Sequence, residues 1–556
     1  MLLRPRADDV AGVDVVIPLS EARRAPGGAV SVGDSEKAPH EREDVWTLSA
    51  LRAEIEGDEV ESGENPVYDR KSKVVNRALL DMGMGKYQWQ LFTLCGFGWF
   101  TDNLWLQGLA IILPAVQREF KVPDNKIGYT TTATFIGLLL GASFWGAAAD
   151  IIGRRLAFNT TLGIAGIFGL AVAGAPNWVG VAALFSVLGL GVGGNLPVDG
   201  ALFLEFLPAN HGGLLTMLSV WWPLGQLVAS LIAWGFLPNY SCSAEQAVCT
   251  KEGNMGWRYT ILTLGALTIA MFIARFFLFH LYESPKYYLS KGLDREAVAT
   301  VHGIAAKNGT KTWLTLEILE ELGGGSSPSA STKDSAAADI DAILKSKLSR
   351  FSLHRLRQLF ATRTLAWSTL LVWFCWATIG MGYPLFNAFL PMYLARSGAN
   401  GTKPNSIVYR NYLITSLLGV PGSILAHITV ETRHIGRKGT LAAATLLSGV
   451  FLYLFTVSTS DAYQLAFTSL ESFFQNAMYG VLYAYTPEVF PAPCRGTATG
   501  VASLLNRIMG LLAPIIATNT FGLDPRIPVW IAGALILSAF LAMVALPIET
   551  RDRAKL

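Results

Sequence analysis

The chain has 556 residues, of which 51% are hydrophobic, 11% aromatic and only 15% charged, with a formal net charge of +3 and a positive mean hydropathy of +0.38. The charge is segregated: residues 1–77 hold 27 of the 85 charged residues, 283–363 another 21 and 549–556 five, leaving 32 for the other 390. A soluble domain needs more charge than that to solvate its surface. A nucleic-acid binder, a secreted disulfide scaffold and a cytosolic enzyme are therefore disfavoured, and the sequence reads as an all-α, polytopic membrane protein.

In chain order, residues 1–80 are acidic, poor in aromatics and without periodicity, so a disordered cytosolic tail is expected there. The opening MLLRPRADDV has no apolar core of the kind a signal peptide needs. Twelve apolar stretches long enough to span a bilayer follow, near 87–115, 127–149, 156–174, 178–206, 213–237, 258–280, 364–394, 408–430, 439–457, 462–485, 497–519 and 526–547. They define a six-helix half at 81–282, a cytosolic loop at 283–362, a second six-helix half at 363–548 and a short tail at 549–556. Within the loop, 294–308 and 313–322 read as short amphipathic helices and 323–331 as a Gly/Ser linker. The basic stretch 339–359 is either a solvated helix face or one lying against anionic headgroups.

Lys and Arg near the span ends set orientation. Arg70, Lys71, Lys73, Arg77 and Lys86 precede the first span, and Arg154 and Arg155 separate spans two and three. Arg433, Arg437 and Lys438 separate eight and nine, so this side and both termini are expected in the cytoplasm. Cys242 and Cys249, bridged or free, and the glycosylation sequons at Asn239 and Asn400 then fall together on the exoplasmic side. The sequon at Asn308 falls in the cytosol and should stay bare.

An internal repeat organises the chain. Glu205-Phe-Leu-Pro208 ends span four, and Glu488-Val-Phe-Pro491 ends span ten, 283 residues later. Gly153-Arg154-Arg155 recurs at the same offset as Gly436-Arg437-Lys438. Two related six-helix halves with a solute site between them are the arrangement such a repeat predicts.

These residues carry a resemblance. Gly146-x-x-x-Asp150-x-x-Gly153-Arg154-Arg155 resembles the loop signature of the major facilitator superfamily. Glu283-Ser-Pro285, Pro487-Glu488-Val-Phe-Pro491 with Arg495-Gly496, and Pro547-Ile-Glu549-Thr550 resemble its sugar-porter-like branch. Gly191-Val-Gly-Gly-Asn195-Leu-Pro197-Val and Tyr483-Ala-Tyr-Thr-Pro487-Glu resemble the synaptic vesicle glycoprotein 2-like transporters, their fungal members in particular. The resemblance implies the major facilitator fold and alternating access. Mechanically, Asp150, Gly153, Arg154, Arg155, Glu205, Arg437, Glu488 and Arg495 are candidates for cytosolic latches that bias one conformation. The alternative is that the arginines only set topology. Arg433 stands where the second copy should repeat Asp150.

Ionisable residues within spans are functional candidates by default. Asp102, Asp199 and Glu471 are the candidate proton-coupling carboxylates, Asp102 foremost, against a structural hydrogen-bonding role. Arg507, halfway along span eleven, either grips an anionic solute or holds helices together by pairing with Glu471 or Asp199. Arg275 is close enough to the cytosolic interface to snorkel. The polar and aromatic candidates for lining the site are Trp99, Asn103, Gln107 and Asn195, then Trp222 and Gln226. The second half adds Tyr383, Asn387, Gln475, Asn476 and Tyr479. Span seven lacks the Gln-rich pattern of sugar porters.

No nucleotide-binding loop, metal-ligand spacing or nucleophile elbow is present, so neither an enzyme, a cofactor nor a metal is expected. The sequence predicts a monomeric, proton-coupled symporter of a small organic solute, a carboxylate in preference to a sugar. Its partners are that solute, protons and the lipid bilayer, not nucleic acid; the plasma membrane is favoured over the vacuolar membrane. The competing readings are a sugar or polyol porter and a non-transporting receptor of the same fold.

Overall fold

A computed structural model describes residues 66–208, 213–242, 249–279, 281–324, 359–396, 405–430, 435–458, 460–490, 492–521 and 526–550, with single positions at 52, 211, 357, 432 and 524. The tail before residue 66 apart from Arg52, most of the linker and basic stretch, Asn400, Arg433 and the last six residues lie outside the described residues. So do the side chains of Asp150 and Arg495.

Twelve long helices among the described residues overlap the twelve expected spans. They are α1 Lys86–Phe120, α2 Tyr129–Ile152, α3 Arg154–Val172, α4 Trp178–Phe206, α5 Trp221–Tyr240, α6 Gly256–Ile273, α7 Arg363–Asn387, α8 Asn405–Val430, α9 Gly436–Val457, α10 Asp461–Val489, α11 Ala492–Phe521 and α12 Ile527–Val544. Ten are long and apolar enough to cross a membrane. The other two are α1, which carries Asp102, Asn103 and Gln107, and α10, which carries Glu471, Gln475, Asn476 and Tyr479.

The repeat is visible in backbone geometry. Gly153, between α2 and α3, has φ +97°, and Gly436, opening α9, has φ +62°. A side chain is strained in that region, so the glycine of each copy is required by the turn. Elsewhere glycine permits close helix approach: Gly137 and Gly141 of α2 face Gly189 and Gly193 of α4. A Cβ on Gly189 would sit 2.6 Å from the Thr134 carbonyl oxygen. This small-xxx-small pairing replaces the hydrophobic drive that lipid removes.

The chain divides into two compact units. The larger comprises 92–203, 212–280 and 336–556. The smaller comprises 1–91, 204–211 and 281–335, and it contains the helices Asp294–Asn308 and Leu316–Gly323, the second beginning three residues after the expected 313. Thr315 caps the latter by accepting from the Ile318 amide.

The expectation of disorder to residue 80 does not hold for 66–80, because Pro66–Met82 is a helix packed on these two. Its Val74, Val75, Ala78 and Leu79 form a buried stripe. Lys71 and Asp294 are ion-paired at 2.5 Å with both side chains nearly inaccessible. Trp313 donates to Asp81 at 3.0 Å. Asn308, the first residue of the third sequon, accepts from the Tyr87 amide at 2.9 Å and donates to Gln88 at 2.9 Å.

Candidate functional site

Within the larger unit, seven helices from both halves line a cavity of about 110 Å³. α1 contributes Asp102, Asn103 and Leu106, α2 Phe135 and Leu138, α4 Val192 and Leu196, and α5 Trp222 and Gln226. α7 contributes Gly380, Tyr383 and Pro384, α10 Gln475, Asn476, Tyr479 and Tyr483, and α11 Asn506 and Arg507.

Most of the sequence-derived lining residues meet here, and the others lie close by. Trp99 stacks on Trp222 with ring centroids 4.7 Å apart. Asn195 donates to Asp102 at 3.0 Å. Gln107 and Asn387 line a small neighbouring pocket that shares Leu106, Phe135, Tyr383 and Pro384 with the cavity. Tyr483 and Asn506 were missed. Tyr483 stands one turn beyond Tyr479, and Asn506 directly precedes Arg507, so helical spacing was the available signal.

Along α1 the cavity is bounded by a different layer on each side. One turn before Asn103, Trp99 joins Trp222, Tyr483 and Trp376 in an aromatic cluster; Trp376 meets Tyr483 edge-on at 4.7 Å. One turn after it, Gln107 donates to Ser230 at 3.2 Å and to Ser416 at 3.1 Å. At cavity level, Gln226 donates to Asn103 at 2.8 Å and to the Tyr383 hydroxyl at 3.2 Å. Each layer joins α1 and α5 of the first half to helices of the second.

The charged groups are arranged unequally. Asp102 is 5% exposed and has Asn195 as its hydrogen-bond donor. Arg507 bonds through Nη1 to the Leu138 carbonyl at 3.3 Å and through Nη2 to the Gly193 carbonyl at 3.4 Å, while Nε has no partner. The Gly193 acceptor has a cause in sequence. Pro197, four residues on, lacks the N–H that would bond it within α4. Among the described residues no carboxylate pairs with Arg507, so the expected pairing with Glu471 or Asp199 is not found.

Asp199 pairs instead with Arg275 at 2.7 Å, with neither side chain exposed. Arg275 also donates to the carbonyls of Leu94 and Phe158, and its guanidinium lies 3.3 Å over the Phe158 ring. The snorkelling expectation for Arg275 is therefore wrong. One π-helical turn, Ala274–Leu278, continues α6 and carries the residue. Glu471 is buried outside the cavity lining, accepting from Ser448 of α9 at 3.4 Å.

Among the latch candidates, Arg437 and Glu488 form a 2.8 Å ion pair. Thr550 donates its hydroxyl to Glu488 at 2.8 Å and accepts from Arg437 at its carbonyl. Glu549 takes the backbone N–H groups of Arg437 and Lys438, which neutralises the open N-terminus of α9. Gly153, Arg154 and Arg155 stand at the α2–α3 turn, and Glu205 is buried near the end of α4. At the opposite end, Cys242 and Cys249 are joined by a disulfide, and Asn239 donates to the Gly235 carbonyl. The Cys242 carbonyl accepts from Arg118, and Glu119 receives both guanidinium nitrogens of Arg258.

Two helical halves around a cavity lined by polar and aromatic side chains from both define a membrane transporter architecture. The family model of the Major Facilitator Superfamily matches residues 91–433 and 411–556, and the chain belongs to that superfamily. It is 45% identical over 518 residues to MFS siderochrome iron transporter 1 of Ceriporiopsis subvermispora, covering 93% of this chain and 98% of that one. It is 29% identical to the niacin transporter NiaP of Acinetobacter baylyi, over 79% and 88% of the two chains. It is 25% identical to the synaptic vesicle 2-related protein of Xenopus laevis, over 97% and 92%. The fold is also that of the proton:xylose symporter XylE from E. coli, with a TM-score of 0.60 at 16% identity over 84% of this chain and 96% of that one.

Proposed function

We propose that this transporter moves a small organic carboxylate together with a proton by alternating access. The observation that carries the reading is Arg507: a guanidinium facing the cavity, held by two long bonds to backbone carbonyls and paired with no described carboxylate. A fork with free donors suits a carboxylate, whereas a purely structural arginine would bond more fully. Asp102 is the preferred proton carrier because it alone of the three candidate carboxylates lines the cavity. Asp199 is engaged by Arg275, and Glu471 is a secondary candidate.

The relative named as a niacin transporter supports this class, since niacin is a ring monocarboxylic acid. The relative named for siderochrome iron supports a larger substrate. Asp102 and Arg507 line the same cavity, which suits a small acid whose carboxylate one arginine can hold. Likeness to the xylose symporter lies in the fold alone and gives a sugar no added support.

The Arg437–Glu488–Thr550 cluster serves as a cytosolic latch, and the arginine-containing α2–α3 turn as its counterpart. The distribution of Lys and Arg supports cytoplasmic termini. The disulfide-bearing end is then exoplasmic, with Asn239 and Asn400 as glycan sites on a monomeric plasma-membrane protein. Uptake of labelled carboxylates and sugars into proteoliposomes, with and without an imposed pH gradient, tests the reading. Saturable carboxylate uptake that collapses with a protonophore is the expected result. Uptake of sugar alone, or gradient-independent uptake, overturns it.

A further inference from the structure

Two opposite charges line one small cavity, and neither has an ionic partner among the described residues: Asp102 on α1 and Arg507 on α11. Asp102 Oδ1 holds the bond from Asn195, and a carboxylate offers about four acceptor positions. The charged and titratable groups within electrostatic reach of Asp102 are Asp199 on α4, Arg275 in the π-helical turn after α6, Arg507 on α11 and Tyr483 on α10. Asp199 and Arg275 neutralise each other at 2.7 Å. The cavity linings from α2, α5 and α7 add Phe135, Trp222 and Tyr383 but no charge.

The charge count of the cavity follows. With Asp102 ionised, the empty cavity sums to zero. A monocarboxylate on Arg507 leaves one net negative charge in a buried site, which is strongly unfavourable unless compensated. Two things can compensate: a proton on Asp102, or a positive charge carried by the solute itself. The walls suit the second as well as the first. Trp222 is 5% exposed with Nε1 unpartnered, and its ring and those of Tyr479 and Tyr483 offer the aromatic faces that attract an organic cation.

On the reading of this cavity as a carboxylate site, we propose that Asp102 is its second pole. It binds the cationic nitrogen of a zwitterionic solute directly, and takes up a proton instead when the solute carries only a carboxylate. Proton and cationic nitrogen thus compete for one carboxylate. The transporter couples to protons for simple acids and runs without them for zwitterions.

Nicotinate and N-methylnicotinate share ring and carboxylate and differ by one fixed positive charge, so they separate the two cases. The full-length protein is reconstituted with an internal pH-sensitive dye, and uptake of each labelled compound is followed together with luminal pH. Both compounds should bind. Acidification should accompany nicotinate entry and be absent for N-methylnicotinate. In Asp102→Asn the affinity for N-methylnicotinate should fall roughly 30-fold relative to that for nicotinate.

Equal acidification with both compounds, or an affinity ratio unchanged by Asp102→Asn, overturns the proposal. The first comparison uses the unaltered protein and stands even if the variant fails to fold. Binding of nicotinate without N-methylnicotinate sinks the second pole alone. Binding of neither removes the carboxylate reading beneath it.

Discussion

Asp199 of α4 and Arg275, in the π-helical turn after α6, form an ion pair at 2.7 Å with both side chains inaccessible, and a Cβ added to Gly98 of α1 would collide with the same carboxylate. Helices α1, α3, α4 and α6 thus converge on one pair of charges, with the carbonyls of Leu94 and Phe158 taking the remaining guanidinium donors.

Removing one partner should therefore be worse than removing both. Arg275→Met leaves a buried, uncompensated carboxylate and should destabilise the protein by about 3–5 kcal/mol. Arg275→Met combined with Asp199→Leu should recover most of that loss, as read from thermal unfolding in detergent. A double variant no more stable than the single one would show that the pair is not the source of the penalty. Gradient-driven uptake by a restored double variant would remove Asp199 from the proton pathway.

Arg507 should behave in the opposite way. Its two carbonyl bonds, at 3.3 and 3.4 Å, hold little of the fold together, so Arg507→Gln should change thermal stability only slightly. Affinity for a carboxylate should fall about 10- to 100-fold, the value of a lost charge-assisted bond in a dry site. Binding is measured by the rise in melting temperature with added ligand. A large loss of stability with ligand affinity preserved would assign Arg507 to helix packing.

The contrast between these arginines explains what the sequence could reveal. Asp102, Gln226, Gln475 and Arg507 were legible because a polar group in an apolar span needs a reason to be there. The repeat was legible because Gly153 and Gly436 are demanded by positive φ. Arg275 was not, because position along a helix cannot distinguish a snorkelling side chain from one turned inward. Its partner lies 76 residues away.

The Pro66–Met82 helix was hidden for another reason. Its buried stripe of Val74, Val75, Ala78 and Leu79 sits among charges, one of which, Lys71, is itself buried against Asp294. Hydropathy counts Lys71 as solvent-facing; the ion pair makes it part of the packing.

At the end of α1 beyond the expected span, Glu119 receives Arg258 in a two-bond fork at 2.7 and 2.8 Å and also accepts from Trp257 at 2.8 Å. Next to it, Arg118 reaches the carbonyl of disulfide-bonded Cys242. Glu119→Gln cannot accept the fork through both atoms and leaves Arg258 charged and nearly inaccessible. A stability loss of about 3 kcal/mol should follow. Arg118→Ala, which removes one bond to a backbone carbonyl, should cost only about 1 kcal/mol. Unfolding followed by tryptophan fluorescence ranks the two variants, and an equal or reversed order would refute the dominance of the fork.

The Arg437–Glu488 pair differs from these structural contacts because it is shared. Glu488 on α10 is bound at once by Arg437 of α9 and by the Thr550 hydroxyl after α12. Three segments of the second half, α9, α10 and the stretch after α12, are joined at one carboxylate. Glu488→Gln weakens the ionic contact but keeps a side chain able to bond Thr550. Loss of an ion pair of this kind should shift a two-state equilibrium by about 1–3 kcal/mol, equivalent to roughly 5- to 150-fold in relative population. Since Glu488 is partly exposed, at 20% of its side chain, the lower end is expected.

The accessible readout is labelling of a cysteine introduced at the Glu488 end of α10, with and without ligand. In Glu488→Gln labelling should be faster without ligand, while ligand affinity at the cavity changes little. Unchanged labelling with an equally lowered melting temperature would make the cluster a structural clasp rather than a latch. Arg437→Lys refines the outcome. Lysine keeps the charge but cannot bond Glu488 and the Thr550 carbonyl as a fork, so its labelling rate should fall between those of the unaltered protein and Glu488→Gln.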